Sequence, residues 1–231
     1  MTGTGGVESP RVAVVLMAKE PRPGEVKTRL QPTLDATQAA ALYEAFLADL
    51  AERVAALSRV ERVLAVWPPR LDAPWLDPYR TRFRLVAQRG SGLGARMRAV
   101  MSDLLAERRG SVLMVGTDVP TLPSEILERG VTLLDRGCAA VLGPGSDGGY
   151  YAIGLGRWIP GLFDVAMSSP SVLSSTLELL ERARARVELL PTWGDVDTPA
   201  DLERLAEELA DPASAARAPR TSAVMRRLAP S

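Results

Sequence analysis

The chain has 231 residues, 46% of them hydrophobic and 24% charged, enough to bury one sizeable core. Its 28 basic and 28 acidic residues balance, which excludes a global field for DNA, RNA or an anionic membrane and makes any binding of an acidic ligand local. Histidine is absent and cysteine occurs once, at Cys138, so Ser-His-Asp chemistry, His-ligated or thiolate-rich metal sites and intrachain disulfides are excluded too. Asp, Glu, Lys, Arg, Ser, Thr and Tyr remain, the groups that handle hard cations, phosphates and carboxylates.

The first predicted element is the β-branched apolar run 11–18, too short for the roughly 20 residues of a membrane span. The text before it, "MTGTGGVESPR", does not read as a signal peptide, and with the lone cysteine this predicts a cytoplasmic protein without a membrane span. A loop with three prolines and a glycine follows, then a helix over 36–57 with Leu42, Phe46, Leu50, Val54 and Leu57 in one apolar stripe. Strands are predicted at 60–68, 83–87 and 111–116, with a helix at 95–108 before the last. Next come a helix at 123–136, strands at 139–145 and 149–155 around a turn, a helix near 171–185 and a strand at 187–191. The text "DVDTPADL" opens a last helix, with Asp197 or Thr198 as cap and Pro199 in its first turn. This alternation predicts an α/β fold, a single-domain three-layer α/β/α sandwich around a mostly parallel twisted sheet, over residues 11–210. Residues 1–10 read as a flexible tail. Residues 211–231, rich in Ala, Pro, Ser and Arg, read as a disordered one.

In such sheets ligands collect beyond the carboxyl ends of the strands, and four of these ends carry unusual polar text. The loop after the first strand, "PRPGEVKTRL", holds Gly24, Arg22, Lys27 and Arg29 and follows Lys19. Lys19 and Lys27 are the chain's two lysines among 26 arginines. The loop suits a polyphosphate, or it is a solvated surface loop; it lacks the P-loop spacing. "QRGSGLGARM" (88–97) is a Gly-rich turn into a helix whose N–H groups suit a phosphate, or simply a helix start. Asp118 in "VGTDVPTLP" sits directly after a buried strand, where it either binds a divalent cation or makes a turn. Asp195 and Asp197 stand two apart, so both carboxylates face one way in an extended segment. In "GPGSDGGYYAIG", Asp147, Gly148 and Gly149 make a turn at the least, and Tyr150 and Tyr151 alternate across the strand that follows. The four tryptophans read as packing residues.

The order of "PGEVKTRL", "GTDVPTLP", "GPGSDGGYYAIGL" and "DVDTPADL" resembles the GT-A-type nucleotide-diphospho-sugar transferase superfamily. More narrowly, it resembles a bacterial family of candidate glycosyltransferases related to the phospholactate and phosphoenolpyruvate guanylyltransferases. The resemblance implies that Lys19, Gly24, Lys27, Arg29, Leu93, Gly94 and Arg96 bind the nucleotide. It implies that Asp118, Asp195 and Asp197 hold Mg²⁺ or Mn²⁺, and that Asp147, Gly148, Gly149, Tyr150, Ser168 and Ser169 face the acceptor. Lys27, Asp118 and Asp147 are the expected catalytic groups. Two departures touch base selection and acceptor identity: Gly92 stands where relatives carry an acidic residue, and "MSSP" (167–170) where they carry Trp-Ser-Thr-Pro.

The implied activity is a metal-dependent transfer from a nucleotide-diphospho-sugar donor to a small-molecule acceptor. The alternative is guanylyltransferase-like nucleotidyl transfer from a triphosphate to a phosphorylated small acid, with pyrophosphate leaving. A non-catalytic nucleotide-binding regulator is the third reading.

Overall fold

The computed structural model describes residues 12–107, 110–167 and 169–228; residues 1–10 lie outside them. Seven strands form one sheet: β1 (Val12–Lys19), β2 (Val60–Trp67), β3 (Arg84–Ala87), β4 (Ser111–Gly116), β5 (Ala140–Pro144), β6 (Tyr150–Leu155) and β7 (Val187–Leu189). Their spatial order is β3-β2-β1-β4-β6-β5-β7. All neighbours pair in parallel except β6, which runs antiparallel to both β4 and β5. Helices α1 (Ala36–Ala56), α2 (Leu93–Glu107), α3 (Ser124–Asp135), α4 (Val172–Arg182) and α5 (Pro199–Glu208) complete the expected α/β/α architecture.

The period-2 alternation of β1 sorts its side chains between the layers. Val12, Val14, Leu16 and Ala18 enter a core shared with α1 and α3, while Ala13 and Val15 enter a second core shared with α2 and α4. After β1, β2 and β3 have grown the sheet one way, β4 returns to the other side of β1. The gap this reversal leaves at the carboxyl ends of β1 and β4 is the topological switch point, where such sheets receive ligands.

The C-terminal segment differs from its sequence reading. Residues 212–228 form two helices, α6 (Pro212–Arg217) and α7 (Pro219–Leu228), and α7 packs along α1. Asp211 caps α6 through the Ser214 N–H at 2.9 Å. The start of α7 has a remote acceptor: Asp49, its side chain fully buried in α1, receives the N–H of Thr221 at 2.8 Å and of Arg220 at 3.1 Å. Arg53, one turn along, donates to the carbonyls of Arg217 and Pro120. α1 therefore buries two faces rather than one stripe. Leu47, Leu50 and Val54 meet the sheet, whereas Leu42 and Phe46 meet Leu30, Val196, Leu202 and Val224. No helix among the described residues is long and apolar enough to cross a membrane.

Candidate active site

Two joined chambers of about 280 Å³ each open at the switch point. They share Met17 of β1, Arg29, Leu93 at the start of α2, and Thr117, Asp118 and Asp197. Tyr43 of α1 lines the first chamber; its hydroxyl accepts the Lys19 N–H at 2.8 Å and bonds Thr117 Oγ1 at 3.1 Å, tying the ends of β1 and β4.

At the centre lies Lys27, in a left-handed backbone conformation (φ 48°, ψ 36°) before a short 3-10 turn. Its side chain is only 4% exposed. Nζ donates to Val196 O at 2.7 Å and Asp197 Oδ1 at 2.8 Å. It also forms an ion pair with Asp118 Oδ1 at 2.5 Å. The Phe46 ring lies 5.6 Å away. Burial opposes charge on both partners. For Lys27 the Asp118 and Asp197 carboxylates outweigh burial and raise its pKa above the ordinary value. Burial pushes the Asp118 carboxyl up against the pull of Lys27; three oxygens around Nζ make the ammonium form the one that fits. Lys27, the expected phosphate contact, is thus paired with two carboxylates.

Asp197 is free for this because Thr198, not Asp197, caps α5, in a reciprocal box with Asp201. Val196 N–H donates to Asp118 O at 3.0 Å, which docks the segment before α5 onto the end of β4.

The first chamber is basic and aromatic. Besides the shared residues it is lined by Lys19, Lys27, Arg96, Tyr43, Trp67 and Gln88. Lys19 Nζ donates to Glu25 O, and Arg96 lays its guanidinium over the Trp67 ring at 4.6 Å. Arg96 Nε is buried without a hydrogen-bond partner, and burial lowers its pKa. Among the described residues Lys19, Arg29 and Arg96 have no carboxylate within ion-pair distance, so their charge is available to an anion. Gln88 spends both amide hydrogens on Ala18 O (3.0 Å) and Ala65 O (2.8 Å), which fixes its orientation.

The second chamber runs under the β4–β6 surface. Asp147, Gly149, Tyr150, Ser169 and Asp195 join its lining, with Met97, Met114 and Ile153 on its floor. Asp147 is exposed, and its Oδ1 accepts the Gly149 N–H at 2.8 Å, leaving the other oxygen uncommitted among the described residues. Burial, then the neighbouring Asp197 and Asp147, raise Asp195 to about 6. Ser169 Oγ donates to Ala166 O at 2.9 Å.

The structure leaves three expected residues off the cleft. Gly94 is a packing position, since a Cβ there would stand 2.8 Å from Phe163 O. Gly148, with φ 86°, lies against the Pro170 carbonyl, where any side chain would collide. Gly24 forms the loop's turn at φ 80° and lines neither chamber. Ser168 lies outside the described residues. Among those residues no three carboxylates converge into a metal cage, since Lys27 occupies the space between Asp118 and Asp197. Sequence reading missed Tyr43, Gln88 and the methionine floor, and it placed Trp67 among packing residues. Its place at the carboxyl end of β2, the strand beside β1, was the available signal for Trp67.

Comparison with solved structures finds relatives of the chain. The chain is similar over 94% of its length, and 98% of the other's, to a candidate nucleotide-diphospho-sugar transferase from Desulfovibrio desulfuricans G20, with 30% identity and a TM-score of 0.81. More distantly, it shares its fold with a CMP:2-keto-3-deoxy-manno-octonic acid synthetase complexed with CTP (16% identity, 87% of this chain and 98% of that one, TM-score 0.52). The same holds for a 4-diphosphocytidyl-2C-methyl-D-erythritol synthase (15% identity, 87% and 98%, TM-score 0.54). No curated protein matches the sequence. The profile of the bacterial family described as "Uncharacterized protein conserved in bacteria (DUF2064)" matches residues 46–169. The chain therefore belongs to this DUF2064 family, within the nucleotide-diphospho-sugar transferase superfamily.

Proposed function

We propose that the protein transfers a glycosyl group from a nucleotide-diphospho-sugar to a small-molecule acceptor. The observation that carries this is the pairing of a basic, aromatic-walled chamber with a second chamber of different chemistry, joined at Asp118 and Asp197. The likeness to the Desulfovibrio protein supports the donor class.

In this reading Lys19, Arg29 and Arg96 receive the donor's diphosphate, and Trp67 offers an aromatic wall to the nucleoside. The acceptor hydroxyl attacks the sugar's anomeric carbon. The bond from that carbon to the diphosphate breaks with its electron pair on the phosphate oxygen, and the hydroxyl proton passes to the uncommitted oxygen of Asp147. Lys27 acts through its neighbours, holding Asp118 and Asp197 in place.

The acidic residues fit Mg²⁺ or Mn²⁺. Asp118 and Asp197 keep 38% and 37% of their side-chain surface open, and Asp195 is short of positive charge. Magnesium is commonly bound by one or two carboxylates plus substrate phosphates, so two carboxylates open to the cleft suit a cation that arrives with the donor. Asp118 and Asp197, with Asp195 beside them, would hold it, and a bound cation offsets charge on the departing diphosphate.

The test is incubation of pure protein with Mg²⁺ or Mn²⁺ and panels of nucleotide sugars and nucleoside triphosphates plus acceptors, following products by phosphorus NMR. A nucleoside diphosphate released from one nucleotide sugar, and lost in Asp118→Ala, is the expected result. Pyrophosphate released from one triphosphate would assign nucleotidyl transfer instead.

A further inference from the structure

The second chamber has a composition that the proposed reaction does not require. Four of the chain's seven methionines line it, Met17, Met97, Met114 and Met167. Met114 is 1% exposed and Ile153 fully buried, so the floor belongs to the core between the sheet and α2 and α4. Thioether side chains make an adaptable apolar surface that offers no strong hydrogen bond to a sugar or phosphate.

Its rim is acidic. Asp118, Asp147, Asp195 and Asp197 all reach the chamber, and among the described residues Arg29 is the sole cation on its lining. Lys27 stands behind the wall, committed to two of these carboxylates. A divalent cation and a donor diphosphate arriving together bring nearly cancelling charge and leave the rim negative. The basic groups Lys19 and Arg96 line the first chamber and not the second.

We infer that the acceptor is a molecule with an apolar body, uncharged or cationic, whose nucleophile is a hydroxyl or amine, and that phosphorylated and carboxylated acceptors are refused. Its apolar part lies on the methionine floor and its nucleophile points to the acidic rim, where like charge would repel an anion. This rests on the cleft serving a transferase, and it deepens that reading by naming the acceptor class.

The experiment reads binding without turnover. Protein carrying ¹³C-methyl methionine is titrated with 3-phenylpropanol, 3-phenylpropylamine, 3-phenylpropionate and 3-phenylpropyl phosphate, a set with one apolar body and four head groups. The alcohol and the amine are expected to shift the Met97, Met114 and Met167 methyl signals, and to bind about tenfold or more tightly than the two anions. Asp147→Arg, at an exposed position, should narrow that preference. Anions binding as well as the alcohol, an unaltered preference in Asp147→Arg, or no methyl shift with any probe would overturn the inference. Because no donor is present, pyrophosphate release in the turnover assay would remove glycosyl transfer while leaving this result standing.

Discussion

Lys27 separates two physical pictures of the site, and Lys27→Met tests them because methionine keeps most of the unbranched side chain and loses its charge. In the structure the ammonium neutralises Asp118 and Asp197 and bonds Val196 O. Removing one partner of a buried ion pair costs about 3–5 kcal/mol where the stranded charge cannot reach water. Here the stranded side chains are 38% and 37% exposed, so water recovers part of that and about 2 kcal/mol is expected, a melting temperature lower by about 4–8 °C for a chain of this size. The assay is thermal unfolding without nucleotide or metal. The difference should shrink as pH falls, because burial favours the protonated form of Asp118, which cannot pair with Lys27. Asp197→Asn made in both backgrounds should show a coupling of about 1 kcal/mol or more. Were Lys27 a free cation waiting for phosphate, Lys27→Met would leave the unliganded melting temperature unchanged and weaken nucleotide binding alone. That pattern would refute the positioning role.

Three further outcomes follow from the geometry. Asp195 is raised to about 6, above an unfolded value of about 3.9, so its ionisation costs stability as pH climbs between the two and costs it fully above them. Asp195→Asn in EDTA should therefore stabilise the protein near pH 7.5 by about 1 kcal/mol, discounted for the side chain's solvent contact, with no gain below about pH 4; an equal gain at both would contradict the electrostatic cause. Asp49→Ala strands two N–H groups at the start of α7 and should cost about 2–3 kcal/mol, with faster hydrogen exchange over 219–228; unchanged exchange there would show that Asp49 does not hold the helix. Arg96→Met should leave the unliganded melting temperature in place while weakening nucleotide binding about tenfold by calorimetry, and equal affinity would remove Arg96 from the donor site.

The strands and the first five helices were legible because each carries its own period or cap. β4 begins and ends where its apolar run does, and the Thr198–Asp201 box marks α5 within a few residues of text. The last two helices were not legible. Their buried residues include Thr221 and Ser222, which look like solvent-facing text until Asp49, 172 residues from Thr221, supplies the acceptor that lets them pack. Asp49 and Arg53 stand four apart on a helix and are both buried; that charged pair within α1 was the one local hint of a covering layer.

The site divides in the same way. Residue type and order along the chain settled which chemistry was possible: no histidine, a Lys-Arg loop, and carboxylates after two strands. Which charges meet which was decided by the tertiary structure. Lys27 and Asp197 are 170 residues apart, and only the docking of the segment before α5 onto the end of β4 brings them to 2.8 Å. That contact pairs an expected phosphate ligand with two carboxylates. A sequence displays the sign of each charge, but pairing depends on distance and on the exclusion of water, and both arise only when the layers close around the switch point.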